Sequence, residues 1–251
     1  GEWLAFSGEG KLKKIPVRGG SASALAPIQA TRGLDWGENN QIVYTPNPGS
    51  PIFMVSTEGG DPHAVTELDS AKGEVSHRGP ELLPGGEAIL YTIKTKFISR
   101  FSEAKIAVQR LDSREKKILI DGGTFARYVG NGHLLYGRGP SLFLVPFDPG
   151  TLELTGPAQM VLDSAGMLNE GFGYYTAAVS PNGTLVYAGG GPLPVVNNHF
   201  TMFDRAGGVL PFLEAGGAYG PFSISRDRKR VAVQLYAAND DIWIYDVERQ
   251  L

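Results

Sequence analysis

The chain has 251 residues, with 34 Gly, 17 Pro and no Cys, and hydrophobic side chains make up 42% of it. That much Gly and Pro excludes a helical protein and that apolar share excludes disorder, so the composition asks for many short strands joined by turns. A formal net charge of -3 gives no general attraction for nucleic acid, and the lack of Cys rules out disulfides, thiol catalysis and zinc–thiolate centres.

The elements recur in chain order around an apolar hairpin. Its second strand reads EWLAF (2–6), QIVY (41–44), AILY (88–91), HLLY (133–136), TLVY (184–187) and RVAV (230–233). From the second unit on, a turn precedes it: GENN (37–40), LPGG (83–86), GNG (130–132), SPNG (180–183) and SRDR (225–228). In SPNG, Pro181 pre-sets a turn, while Asn182 and Gly183 tolerate the left-handed region. A third strand follows each hairpin: KLKKIPV (11–17), PIFMVS (51–56), KIAVQRL (105–111), SLFLVPF (141–147), HFTMFD (199–204) and DIWIYDV (241–247). After five of these, a short fourth strand is read at 23–28, 63–68, 116–120, 159–162 and 209–213.

Units of roughly 40–50 residues with four strands each are the signature of a β-propeller, because one small sheet cannot bury both of its faces and must stack on its neighbours. The expected fold is therefore all-β, a six-blade-type propeller forming one domain over residues 1–251. Its blades fall at about 1–30, 31–74, 75–123, 124–166, 167–217 and 218–251. The first blade lacks its innermost strand and the last its outermost, and the opening Gly1 without Met reads as a processed protein, an excised fragment or a tag remnant. The edge strand DIWIYDV is apolar and expected to be exposed, which suggests pairing with a second copy and a homo-oligomer. No apolar run approaches a membrane span and no signal peptide is evident, so no membrane insertion by this chain is expected.

The SPNG turn, and the order of turn, apolar hairpin and strand ending in GG, resemble the TolB-like, or PD40, β-propeller repeat over essentially the whole chain. More narrowly, GKLKKIPVRGG, SHRGPELLPGG, LFLVPFDPGTLELTGP, SPNGTLVYAGG and NDDIWIYDVERQ resemble the propeller region of bacterial receptor-like serine/threonine kinases. That resemblance implies an extracytoplasmic or periplasmic sensor module of a larger protein. A kinase phosphate loop and an HRD motif are absent from the sequence, so no kinase activity is expected in this chain.

Aligned on the first strand of each unit, Arg32, His77, Arg78, Tyr174, Tyr175 and Tyr219 gather at one mouth of a central channel. Guanidiniums there offer forked donors to a carboxylate or phosphate, and phenols add donors and apolar faces. The expected partner is then a protein or a small anionic ligand. The alternative is that the arginines pair with nearby carboxylates and the tyrosines pack between blades. A second equivalent position holds Asp35 and Glu81. Two carboxylates in a narrow channel would suit Ca²⁺, with Asn169 and Glu170 as further oxygen ligands, and a metal-assisted esterase, lactonase or phosphotriesterase is the enzymatic alternative. Otherwise no cofactor is expected. His63, His77, His133 and His199 lie in separate units without ligand spacing, and no nucleophile elbow occurs. NEGFGYY (169–175) reads equally as a loop covering a ligand or as a connector.

Overall fold

The structure, a computed structural model, describes residues 2–165, 167–169, 173–180, 183–187, 200–203, 208–210, 219–235, 241–247 and 249. Apart from two single 3-10 turns, Ser70–Lys72 and Phe101–Glu103, its regular elements are strands.

Sheet 1 is formed by β1 (Trp3–Gly8), β2 (Lys11–Pro16) and β3 (Ser23–Pro27). Sheet 2 runs β4 (Leu34–Trp36), β5 (Gln41–Tyr44), β6 (Phe53–Ser56) and β7 (His63–Ala64). Sheet 3 contains β8 (Glu74–Leu82), β9 (Ala88–Thr95), β10 (Lys105–Arg110) and β11 (Lys116–Asp121). In sheet 4, β12 (Thr124–Val129), β13 (His133–Arg138) and β14 (Ser141–Asp148) are completed by β15 (Glu153–Leu154) and β16 (Gln159–Leu162), both paired with β14. A short hairpin follows, β17 (Met167–Asn169) with β18 (Tyr174–Tyr175). Sheet 5 consists of β19 (Ala177–Val179), β20 (Leu185–Tyr187), β21 (Thr201–Phe203) and β22 (Val209–Leu210). Sheet 6 ends the chain with β23 (Tyr219–Ile224), β24 (Arg230–Leu235) and β25 (Asp241–Asp246). Every pairing is antiparallel, and apart from β14 with β16 each joins neighbours in sequence, as tight turns require.

Side-chain alternation explains how the sheets stack. A strand sends successive residues to opposite faces, and the second strands use both faces. In sheet 2, Ile42 and Tyr44 pack towards Leu12 and Ala26 of sheet 1, whereas Val43 packs towards Ile89, Tyr91 and Ile93 of sheet 3. In sheet 3, Leu90 instead meets Ala126, Leu134 and Tyr136 of sheet 4. Leu135 of sheet 4 meets Tyr175 and Ala177, and Val186 of sheet 5 meets Val231 and Val233 of sheet 6. Each core cluster thus joins two consecutive sheets. The closing residues Tyr44 and Tyr91 are fully buried, and burying a side chain of that size stabilises by roughly 1.5–3 kcal/mol. Gln109 ties two sheets further, donating from Nε2 to the Val65 carbonyl (2.7 Å) while its Oε1 accepts from the Tyr91 hydroxyl (3.3 Å).

The sixth sheet returns to the second. Arg226, in the turn between β23 and β24, donates from Nη2 to the Trp36 carbonyl (3.0 Å) and lies 3.3 Å from Glu38 Oε1. On β25, Ile242 and Trp243 are about half exposed, and β25 pairs only with β24 among the described residues. Among those residues no helix is long and apolar enough to cross a membrane.

Candidate functional site

The first strands of sheets 2 to 4 lie against one another and carry most of the residues singled out by the sequence. Sheets 2 and 3 come close together at Gly33 and Gly79. A Cβ on Gly33 would sit 2.8 Å from the Gly79 Cα, and both glycines have positive φ (114° and 55°). The Gly79 N–H also donates to the Arg32 carbonyl (2.7 Å). β8 bulges between Arg78 and Glu81, and β12 between Thr124 and Arg127, so the same irregularity recurs from sheet to sheet.

Neighbouring residues on β8 part company. His77 is fully buried on the face turned to sheet 2, where its ring packs on Tyr91 at 4.7 Å between centroids. Nδ1 lies 2.8 Å from Thr66 Oγ1 and Nε2 lies 3.0 Å from Glu74 Oε2. The Glu74 carboxylate can only accept, which assigns the ring proton to Nε2 and leaves Nδ1 to accept from the Thr66 hydroxyl, whose oxygen also takes the Ile52 N–H (2.9 Å). Burial holds His77 below the ordinary imidazole range despite Glu74, so the ring is neutral. Burial also pushes Glu74 up, but His77, the Asp69 N–H and Lys116 (2.9 Å) outweigh it and hold the carboxyl at about 2. His77 is therefore placed in a packed internal network and does not join Arg78.

Arg78, the next residue, turns away from His77, with 7% of its surface exposed. Nε donates to Ser76 Oγ (3.0 Å), Nη2 to the Pro48 carbonyl (3.5 Å), and the guanidinium sits 4.8 Å over the Phe101 ring. Nη1 is buried with no acceptor, and no carboxylate among the described residues pairs with this side chain. Burial and the neighbouring Arg32 pull Arg78 down to about 10, so it stays charged. Lys94 of β9, whose register partner is Ser76, lies 5.7 Å from the same ring. Its pKa is lowered by burial, then by Arg78 and Arg32.

The β17–β18 hairpin completes the cluster. At Gly173 a Cβ would fall 2.5 Å from the Phe101 ring, so only glycine lets the hairpin close there, and the Gly173 carbonyl accepts from Thr124 Oγ1 (3.2 Å). Burial pushes the Tyr174 phenol to about 12 against the pull of Arg32, Arg78 and Arg127, so it remains a proton donor. Tyr175 turns the other way, packs on Phe125 (5.4 Å) and donates to the Gly139 carbonyl (2.6 Å). Arg32, Arg78 and Tyr174 are thus brought together, while His77 and Tyr175 belong to the packing between sheets. Tyr219 opens β23, paired with Leu235; its side chain, like Glu170, lies outside the described residues, and Asn169 is described only as a β17 residue.

Asp35 and Glu81 occupy one register position, and Arg127 is the third member of the series. Asp35 Oδ2 accepts from the Leu82 N–H (2.9 Å), and both Glu81 oxygens accept from the Tyr128 N–H (3.2 and 3.1 Å). Arg127 donates from Nη1 to the Gly79 carbonyl (3.1 Å) and lies 3.9 Å from Glu81 Oε2. Burial raises Asp35, and burial with the Asp35 charge takes Glu81 to about 8 despite Arg127. Both carboxyls are turned onto backbone N–H groups of the next sheet. Among the described residues no group of three or more His, Asp or Glu is placed to hold a metal. Lys94, Phe101 and Arg127 were not singled out by the sequence reading; strand register would have found Lys94 diagonal to Arg78 and Arg127 equivalent to Glu81.

No family model matches the sequence, and neither does any curated protein. Solved structures do. TolB from Acinetobacter baumannii superposes with a TM-score of 0.70 at 16% identity, covering 96% of this chain and 58% of that one. The β-propeller domain of Cps50 (Swd1) from Myceliophteria thermophila gives 0.56 at 14% identity, covering 98% and 80%. The fold is a β-propeller. A gluconolactonase from Xanthomonas campestris shares it, with a TM-score of 0.67 at 12% identity, covering 94% and 78%. The chain spans little more than half the length of the TolB chain it matches, and a fold with such different occupants does not choose between binding and hydrolysis.

Proposed function

We propose that this propeller is a ligand-binding module, a sensor or scaffold within a larger protein, which recognises an anionic group with Arg78, Lys94 and Tyr174 beside Arg32. One observation carries the reading: a buried guanidinium that has an N–H without an acceptor and no carboxylate partner among the described residues. Leaving a charged donor unsatisfied costs on the order of 1–3 kcal/mol or more, and a ligand supplying the acceptor recovers it. Resemblance to the propeller region of receptor-like kinases supports an extracytoplasmic setting for such a module. The metal-assisted hydrolase reading has less behind it, because Asp35 and Glu81 spend their oxygens on the next sheet's backbone. Titrating the chain with a panel of anions and following thermal unfolding tests the proposal, since a ligand of the folded state raises its melting temperature. Saturable stabilisation lost in Arg78→Leu supports it. Stabilisation by none of them refutes it, and chelator-sensitive turnover of a chromogenic ester, lost in Asp35→Asn, favours the hydrolase.

A further inference from the structure

Resting on that anion-binding reading, we infer that the group taken between Arg78, Lys94 and Tyr174 is a phosphate-type dianion, and that a single carboxylate is a poor substitute. The first argument is geometric. Carboxylates are recognised by the parallel N–H pair of a guanidinium fork. The fork of Arg78 is already divided, Nε on Ser76 and Nη2 on the Pro48 carbonyl, which leaves Nη1 alone. The remaining donors stand on other strands: the Lys94 ammonium on β9 and the Tyr174 hydroxyl on β18. Three donors from three strands suit an ion whose several oxygens point in different directions, as a phosphate's do.

The second argument is charge. In an antiparallel pair, Lys94 opposite Ser76 is the diagonal neighbour of Arg78, on the same face. Both cations also lie on the Phe101 ring, at 4.8 and 5.7 Å from its centroid. Neither has a carboxylate partner among the described residues, whereas the nearby acids are committed elsewhere: Glu74 to His77 and Lys116, Glu81 to Tyr128 and Arg127. One carboxylate would leave one of the two cations uncompensated in a partly desolvated place; a dianion matches both.

The test titrates the full chain with sodium sulfate, inorganic phosphate and acetate at fixed ionic strength, by calorimetry and thermal shift. Sulfate and phosphate are expected to bind saturably, and acetate about tenfold more weakly or less well, the size of one lost charge-assisted hydrogen bond. Lys94→Gln, at a partly exposed position, is expected to weaken the dianions about tenfold and bring them level with acetate. Lys117→Gln, on the outer strand β11, should change nothing. Acetate binding as tightly as sulfate, with Lys94→Gln without effect, overturns the dianion inference and leaves the anion reading standing. No binding of any of the three overturns both.

Discussion

Asp35 and Glu81 make the same contact one sheet apart: each accepts a backbone N–H 47 residues further along the chain, from Leu82 and Tyr128 respectively. The carboxyl of one first strand thereby fixes the height of the next. At the equivalent position in sheet 4 the residue is Arg127, which reaches back to the Gly79 carbonyl. These acids act as clamps between sheets, and clamps of this kind leave a mark on the pH dependence of stability.

Glu81 has its pKa raised in the folded state to about 8 from 4.5. Between those values the folded chain holds a proton that the unfolded chain has lost, so stability falls as pH rises, by about 1.4 kcal/mol per pH unit at most for one group. Glu81→Gln keeps an acceptor for the Tyr128 N–H and removes the titration. The variant is expected to match the parent near pH 5 and to melt higher than the parent at pH 8. Thermal unfolding across that range checks it, and parallel curves would mean that Glu81 is ionised in the folded state.

The approach of Gly33 to Gly79 makes a second prediction, in which two alanine substitutions differ. On Gly33 a Cβ meets the facing backbone at 2.8 Å, at a φ of 114° that L-residues avoid. On Gly79 nothing lies nearer than Arg127 Nη1 at 4.0 Å, at a φ of 55° that costs only the left-handed penalty. Gly79→Ala should lose about 1–2 kcal/mol, and Gly33→Ala clearly more, because backbone must shift. Urea unfolding of the two variants measures the difference; equal losses would mean that the sheets separate freely there.

Much of this fold is written in the sequence because each unit repeats a turn and an apolar hairpin. The closing residues Tyr44, Tyr91, Tyr136 and Tyr187 all prove to be second-strand residues packed towards the preceding sheet. The site was less legible, and strand alternation is the reason. His77 and Arg78, like Tyr174 and Tyr175, are adjacent in sequence and were assigned to one mouth, yet an extended chain turns adjacent side chains to opposite faces. The bulges in β8 and β12 then interrupt the simple alternation of faces along these strands, and Phe125 takes a left-handed φ of 57° where the preceding sheets use glycine. Lys94 follows from the register of β8 with β9, whereas Phe101 sits in a turn outside the repeated hairpin and reaches Arg78 only in the folded chain.

Tyr174 and Tyr175 therefore predict opposite phenotypes. Tyr175→Phe removes a hydrogen bond to the Gly139 carbonyl (2.6 Å) in a packed layer. It should cost about 1 kcal/mol of stability and leave sulfate binding unchanged. Tyr174→Phe removes a donor that has no acceptor among the described residues, so stability should hold and sulfate affinity should fall severalfold. Calorimetry and unfolding on both variants settle it; a binding loss in Tyr175→Phe would place the site on the wrong face of the hairpin.

The Glu74–His77–Lys116 network acts at the other end of the pH scale. Held at about 2 in the folded chain against 4.5 unfolded, Glu74 supplies stability that is complete above its unfolded value and is lost as pH falls towards 2. Its effect has the opposite slope to that of Glu81. Glu74→Gln should flatten the acid limb while leaving the decline towards pH 8 in place. His77→Leu should lower stability at every pH, by roughly 2–4 kcal/mol, since it leaves the Thr66 hydroxyl and Glu74 buried without their partner. Because adjacent residues His77 and Arg78 turn to opposite faces of β8, sulfate affinity of the folded His77→Leu variant should equal that of the parent. A loss of affinity there would show that the two faces of β8 are coupled through the strand.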